Sequence, residues 1–290
     1  QIPRRHVRKF LALAGYYPEP AQPARLALRF ELNPGETALT LPAGLALTGQ
    51  NTLSNGPKVY FRTQHAATIV PAAITALLAF DGSQWLDQTL AWSEGAAYAA
   101  WGSNPGPHKD ANKQPAFYIG FDQALPVGVS VRLWLEFTGE QATWHSRQAL
   151  IAEASASAQA CLPIVPDWPC PGDPANPAGS SAAVLPPLPV HHSLRTIWEY
   201  FDGAQWIALD AASGQVQDDT RSFSLSGSLQ LTLPAAMIAS SPFSGAPNAF
   251  YLRCRMRSGR PDAAPVLAGV FVNAVEVLQR RTERHPFPIT

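Results

Sequence analysis

Apolar and polar residues alternate along much of this chain, and this pattern predicts β-strands. From 25 to 32, the apolar residues Leu26, Leu28 and Phe30 alternate with more polar neighbours. The same two-residue period recurs at 131–137, 223–233 and 250–257. Successive side chains of a strand point to opposite faces, so each segment is expected to have one buried and one wetter face. The short turns between them favour a mainly β fold with antiparallel sheets.

One segment has a helical period instead. Proline at position 3 suits the first turn of a helix, and Val7, Phe10 and Leu11 fall on one apolar face of a helix over 3–14. A helix this short is marginal in isolation, so its apolar face is expected to dock on another surface. Val7, Phe10 and Leu11 are therefore predicted to form an assembly interface.

The six-residue phrase Phe-Asp-Gly-x-Gln-Trp occurs twice, at 80–85 and at 201–206. Asp-Gly favours a tight turn because glycine accepts positive φ and aspartate bonds to its own backbone. Each copy therefore predicts a hairpin with a tryptophan on the returning strand. We expect Trp85 and Trp206 to be largely buried anchors at matching places in two related, sandwich-like β lobes.

The composition changes sharply near the middle of the chain, where prolines crowd between 152 and 189. This region is expected to be an insertion or linker between the two lobes. The predicted organisation is an N-terminal helix at 1–15, a first β lobe at 16–150, the Pro-rich segment at 151–193, a second β lobe at 194–278 and a C-terminal tail at 279–290.

Charge and hydropathy limit the partners of this 290-residue protein. Only 14% of its residues are charged, with 21 basic and 21 acidic, so no bulk charge favours nucleic acid or anionic membranes. No apolar run reaches the roughly 20 residues that a membrane-spanning helix needs. Cys254 is expected to be a buried thiol. Cys161 and Cys170 are interpreted as reduced thiols, with a disulfide between them as the alternative.

The known short motifs for nucleotide, metal or nucleophile chemistry are absent from the sequence. No cofactor is predicted. Glu136 and Glu199 are candidates for a glycosidase acid and nucleophile, since both lie beside aromatic residues on predicted strands, but sequence does not fix the separation that this chemistry requires. The simpler interpretation gives them structural roles.

Two further polar pairs have simple structural explanations. Asp218 and Asp219 suit a calcium or catalytic site, but a turn cap with a local arginine partner is the favoured interpretation. His191 and His192 are adjacent, and neighbouring side chains rarely reach one metal ion, so a solvated loop pair is expected.

The order of short phrases along the chain resembles the putative baseplate assembly proteins of contractile phage tails and phage-like injection particles, the J-like baseplate wedge proteins. The phrases are 2–15, Pro23-Ala24-Arg25-Leu26, Leu41-Pro42-Ala43-Gly44, Phe61-Arg62-Thr63, Tyr118-Ile119-Gly120-Phe121-Asp122, Trp198-Glu199-Tyr200, Asp218-Asp219-Thr220-Arg221, Ser226-Gly227, Leu233-Pro234, Tyr251-Leu252-Arg253-Cys254-Arg255, Ala264-Pro265 and Asn273-Ala274-Val275.

This resemblance implies a structural protein of the tail baseplate, assembled in the bacterial cytoplasm, whose partners are other wedge and hub proteins. It implies no enzymatic activity. Family members begin earlier and continue further, so the chain is expected to be the middle of a longer protein. The alternative is a carbohydrate-binding or glycan-cleaving β-sandwich, and a third possibility is an adhesin-like domain.

Overall fold

The computed structural model describes residues 9, 23–33, 35–49, 58–102, 108, 110, 113–138, 194–259, 261 and 264–280. Several predictions fall outside these residues. They concern Val7, Phe10 and Leu11 of the helix at 3–14, the whole Pro-rich segment at 151–193, most of the tail at 279–290, Cys161 and Cys170, and the pair His191 and His192.

The described residues form a mainly β protein with antiparallel sheets, as the alternation predicted. The strands are β1 (Arg25–Arg29), β2 (Leu39–Leu41), β3 (Ala46–Gly49), β4 (Val59–Thr63), β5 (Ala67–Ile69), β6 (Ile74–Phe80), β7 (Trp85–Asp87), β8 (Tyr98–Ala99), β9 (Ala116–Phe121), β10 (Ser130–Phe137), β11 (Arg195–Phe201), β12 (Trp206–Ala208), β13 (Val216–Asp218), β14 (Gly227–Thr232), β15 (Phe250–Ser258), β16 (Val266–Val272) and β17 (Ala274–Gln279). A short helix, α1 (Thr89–Ser93), follows β7. No helix in the described ranges is long and apolar enough to span a membrane.

The chain divides into two compact units. The smaller takes its described residues from Gln1–Leu28, Pro42–Ala66 and Glu276–Thr290. It contains most of a four-stranded sheet in the order β1-β17-β4-β3. Within this unit the buried Thr63 is a local anchor, because its Oγ1 donates to the Pro42 carbonyl at 2.8 Å and accepts from the Leu45 N–H at 2.9 Å.

The larger unit comprises Arg29–Leu41 and Ala67–Val275 and is built from two sheets. The six-stranded sheet has the order β12-β11-β15-β9-β6-β7, and the other runs β13-β14-β10-β16-β8, with β5 paired to β10 and β2 paired to β5. Alternate residues of both sheets, such as Ile119 and Leu135, form one hydrophobic core. Cys254 lies in this core as the predicted buried thiol, and burial raises its pKa.

The two halves of the sequence share both sheets. Strands β6, β7 and β9 of the first half correspond in order to β11, β12 and β15 of the second. The six-stranded sheet is therefore pseudo-symmetric: from either edge towards the centre, the strands follow the same order of corresponding elements. At its centre β9 pairs antiparallel with β15, and β10 pairs with β16 in the opposite sheet. The sandwich of the larger unit is therefore built from strands of both sequence halves, which share its main core.

Candidate functional site: the outer face of the six-stranded sheet

The repeated phrase forms the same turn twice. Asp81 Oδ1 accepts hydrogen bonds at 2.8 Å from the backbone N–H groups two and three residues later, and Asp202 Oδ1 does the same. Gly82 and Gly203 follow with φ of 103° and 104°, values that favour glycine. At Asp81 burial acts to raise the carboxyl pKa, but these donors outweigh it and lower the pKa; at Asp202 the backbone donors lower the pKa.

Each hairpin returns its tryptophan to the face of the sheet that points away from the main core. Trp85 lies on edge strand β7 and Trp206 on edge strand β12, at opposite ends of the sheet. Both are half-buried and packed against neighbouring side chains, but they are not fully enclosed. The reason is their position: an edge strand on an outer face has neighbours on one side only. They join a second apolar cluster with Leu78, Tyr118 and Tyr251.

Tyr118 lies at the centre of this cluster, on β9. Its ring centroid is 5.0 Å from that of Trp85 and 5.5 Å from that of Trp206, the second contact being edge to face. Such arrangements suit the charge distribution of aromatic rings. Charged residues follow Tyr118 across the neighbouring strands, because Tyr118 on β9 lies opposite Arg253 on β15 and Arg253 lies opposite Glu199 on β11. An aromatic region therefore passes directly into a charged one.

Glu199 is a buried carboxylate held by two arginines of β15. Arg253 Nε lies 2.7 Å and Nη2 2.6 Å from Glu199 Oε2. Arg255 Nη2 lies 2.8 Å from Oε1, and its Nε lies 3.2 Å from Oε2. Only 5% of the Glu199 side chain is exposed, against 16% for Arg253 and 17% for Arg255. The hydrogen bond to Glu199 is the main reason that the pKa of Arg255 is raised.

Neutral groups complete the surroundings of this ion cluster. Arg255 Nη1 donates to Gln114 Oε1 at 2.6 Å. The Arg253 Cζ lies 4.2 Å from the ring centroid of Trp206, which is cation–π geometry. Burial raises the pKa of the Tyr118 phenol above its usual value, so the phenol is uncharged at neutral pH. Glu199 therefore pairs with both guanidiniums, and the other side chains described around them are neutral.

The segment after β14 covers part of this face. Phe243 stacks on Trp85 with ring centroids 4.6 Å apart, and the Tyr251 hydroxyl donates to the Pro247 carbonyl at 2.8 Å. Ile238 lies against the second hairpin, where a Cβ on Gly203 would be 3.2 Å from it. Both hairpins are therefore parts of one composite surface, made of aromatic rings at one end and arginines at the other.

The structure does not bring the two predicted glycosidase carboxylates together. Glu136 is exposed on β10, and its strand neighbours Leu135 and Phe137 point into the core. Glu199 projects from the opposite sheet, since its neighbour Trp198 points into the same core. The two carboxylates therefore lie on opposite outer faces of the sandwich, and Glu199 is already paired with arginines.

Asp218 and Asp219 cap a turn, which is the first part of the favoured interpretation; the hydrogen bonds described for them come from Thr220, Trp198, Ser228 and Gln217. Asp218 Oδ1 accepts from the Thr220 N–H at 2.8 Å, while its Oδ2 accepts from Trp198 Nε1 at 3.2 Å. Asp219 Oδ2 accepts from the Ser228 hydroxyl at 2.6 Å. Burial raises the pKa of Asp218 despite these hydrogen bonds. No group of three metal-ligating side chains occurs among the described residues.

The turn that these aspartates cap is left-handed. Arg221, Ser222 and Phe223 have φ of 52°, 59° and 64°, and each such residue costs about 1–2 kcal/mol when it carries a side chain. The strain is offset by packing, because Phe223 is 3% exposed and stacks on Trp101 at 4.6 Å with an interplanar angle of 4°. The turn therefore inserts an aromatic ring into the core.

Sequence reasoning missed the arginine cluster and the central role of Tyr118. The alternation of Arg253 and Arg255 with apolar residues on β15 was interpreted as an ordinary wet face. One signal was present in the sequence. Arginines at alternate positions of a strand lie on the same face, and arginines that are buried there need a carboxylate as an ion-pair partner. Only the strand order identifies that carboxylate as Glu199.

Comparison with known proteins gives limited information. No family model matches the chain, and no curated protein matches it. Among solved structures, the chain is similar to one in the TssK-TssF-TssG baseplate subcomplex of the type VI secretion system, determined by cryo-electron microscopy. The TM-score is 0.41 and the sequence identity 13%. The match covers 93% of this chain and 43% of that one, so this chain spans less than half of the neighbour's length.

Proposed function

We propose that this protein is a structural, non-enzymatic component of the baseplate wedge of a contractile phage tail or phage-like injection particle. Its role is to hold other wedge and hub proteins in place. The observation that carries this proposal is the position in the fold of the sequence segments that resemble baseplate wedge proteins. Trp198-Glu199-Tyr200 on β11 and Tyr251-Leu252-Arg253-Cys254-Arg255 on β15 are paired strands of one sheet, so these residues serve the framework of the fold.

The state of the carboxylates supports a role without catalysis. Glu199 is paired with Arg253 and Arg255, and Asp218 accepts hydrogen bonds from Thr220 and Trp198. A general acid or nucleophile needs contact with a substrate, and Glu199 is 4% exposed. These groups stabilise strands and turns instead.

The glycan-binding alternative is less well supported by the aromatic side chains. A sugar stacks on an open ring face. Trp85 already stacks on Phe243, and Trp206 already lies beneath the guanidinium of Arg253. Both tryptophans are also packed against Tyr118. The rings are engaged within the protein, which favours a structural surface over a sugar platform.

The proposed location is the baseplate of the assembled particle, which forms in the bacterial cytoplasm. Val7, Phe10 and Leu11 remain the proposed assembly interface of the N-terminal segment, on the basis of their spacing in the sequence. The chain needs no cofactor for this role, and its partners are proteins.

The experiment is to place an affinity tag on the chain in its native host, purify contractile particles and locate the chain by cryo-electron microscopy. We expect density for it at the baseplate. Phe10→Asp should lower its occupancy while the purified chain stays folded. A chain that is absent from purified particles, or that hydrolyses a glycan, would contradict the proposal.

A further inference from the structure

We propose that Arg253 and Arg255 form a docking site for an acidic side chain of a neighbouring protein subunit. This inference rests on the proposed function, since it takes the partner to be a protein of the same assembly. The site lies on the outer face of the six-stranded sheet, beside Trp206. Its ligand is the carboxylate of an aspartate or glutamate.

The charge of the cluster is the first observation. Two guanidiniums face one carboxylate, Glu199, and the neighbouring Gln114 and Tyr118 are neutral. The groups that affect the pKa of Arg255 are Glu199 and Tyr118, with no second carboxylate among them. A net positive charge therefore remains on a surface where the arginine side chains are 16% and 17% exposed. Burying an uncompensated charge is costly, so a second anion would stabilise the site.

The hydrogen-bonding capacity of Glu199 is the second observation. A carboxylate offers about four acceptor positions, and Glu199 receives four N–H contacts, two from each arginine. A guanidinium carries five N–H donors. Three of these contacts fall on Oε2 and one on Oε1, and Gln114 takes one further donor from Arg255. The two guanidiniums together carry ten donors, more than Glu199 and Gln114 accept. A second carboxylate would match the planar fork that arginine presents.

The surroundings favour a protein carboxylate over a polyanion. The chain has a formal net charge of zero, so it does not attract nucleic acid in bulk. Trp206 and Tyr118 border the arginines with aromatic surface. An acidic residue next to an apolar one fits this combination.

The test is an NMR titration of the purified chain, labelled at arginine so that the Nε–Hε signals of Arg253 and Arg255 are observed. The probe is a short, end-blocked peptide of alternating glutamate and leucine. Its matched control contains glutamine in place of glutamate. We expect saturable shifts of both arginine signals with the glutamate peptide only, and their loss at about 1 M salt, where the Debye length is about 3 Å.

Variants locate the effect. Arg253→Lys keeps the charge but loses the fork, and we expect it to raise the Kd by about tenfold or more. Arg257→Lys, an exposed arginine two positions beyond Arg255 on the same strand, should leave the Kd unchanged. If Arg253→Lys does not fold, the peptide titrations of the unaltered chain at low and at about 1 M salt still test the inference.

Three results would overturn the inference: equal shifts with the glutamine peptide, an equal loss of affinity in Arg257→Lys, or inorganic phosphate binding as tightly as the glutamate peptide. The titration uses the isolated chain and the baseplate experiment uses native particles. A chain found in particles without peptide binding would contradict this inference alone, and peptide binding by a chain absent from particles would contradict the proposed function alone.

Discussion

Trp85 and Trp206 lie at opposite edges of one six-stranded sheet and contact the same residue, Tyr118, with ring centroids 5.0 and 5.5 Å away. The repeated hairpins therefore do not anchor separate cores. Each places its tryptophan on the outer face of the sheet, and both rings contact Tyr118 on the central strand β9. The repeat is thus a device for covering a shared face from both ends.

This shared contact predicts that the two tryptophans are energetically coupled. Both are half-buried, so we expect each Trp→Ala substitution to lower the free energy of unfolding by about 2–4 kcal/mol, below or within the usual range for buried rings. In a double-mutant cycle measured by urea unfolding, Trp85→Ala and Trp206→Ala should deviate from additivity by at least about 0.5 kcal/mol. Trp134, half-buried in the other sheet, is the control, and its Trp→Ala change should add simply to Trp85→Ala. Additivity in both pairs would contradict the coupling.

A second prediction compares the two glutamates that sequence reasoning considered for catalysis. Glu199→Gln leaves Arg253 and Arg255 facing a neutral group, and we expect it to lower the free energy of unfolding by about 3–5 kcal/mol. Glu136→Gln changes an exposed side chain and should stay within about 0.5 kcal/mol of the unaltered protein. Chemical denaturation of both variants under the same conditions measures the difference. Similar stabilities would show that the ion cluster contributes little.

A third prediction concerns the order in which the aspartates titrate. The carboxyl pKa is lowered at Asp81 and Asp202 and raised at Asp218, relative to the usual value of 3.8. Carbon-detected NMR of the side-chain carboxyls should show Asp218 taking up its proton first as the pH falls. Asp218 titrating below Asp202 would contradict the burial argument.

The same shifts have opposite effects on stability. The folded pKa of Asp218 is raised, so folded protein binds this proton more readily than unfolded protein, and acidification through that pKa adds stability. The lowered pKa of Asp81 has the reverse sign: its contribution is present above 3.8 and is lost as the pH falls through the folded pKa. Asp218→Asn should therefore lose stability more steeply than the unaltered protein as the pH is lowered towards 3.8. If the free energy of unfolding depends on pH in the same way in both proteins, the pKa of Asp218 is not raised by folding.

A fourth prediction tests the packing of the outer face. A Cβ at Gly120 would lie 2.7 Å from the ring of Tyr251 and 3.1 Å from the Ala76 side chain. Because that space is filled, we expect Gly120→Ala to cost about 1–3 kcal/mol of stability. Gly49 is the matched control, because a Cβ there meets its nearest atom at 3.8 Å. Thermal unfolding of Gly120→Ala and Gly49→Ala should separate the two, and equal melting temperatures would show that the sheet relaxes around the added methyl.

Sequence reasoning predicts the parts of this fold that depend on local chemistry. The strands follow from the alternation of apolar and polar residues. The turns at Asp81 and Asp202 follow from the preference of tight turns for the Asp-Gly pair. Features that depend on strand order were not predictable. The pairing of Glu199 with Arg253 needs β11 to lie beside β15, although 54 positions separate the two residues.

Helix α1 and the left-handed turn were missed for different reasons. Helix α1 spans five residues, too few to show a helical period. The left-handed turn at Arg221, Ser222 and Phe223 opposes local preference, since such backbone normally requires glycine. It exists because Phe223 fills a space in the core that sequence alone does not show.

The central pairing of β9 with β15 makes each half of the chain an incomplete molecule. Neither half contains a whole sheet, because β10 also pairs with β14 and β16 across the division. Two polypeptides produced by opening the chain between β10 and β11 should be unfolded separately and should combine in a one-to-one complex. The two halves are therefore obligate complements, and a substitution that disrupts either edge of the sheet should unfold the whole sandwich cooperatively.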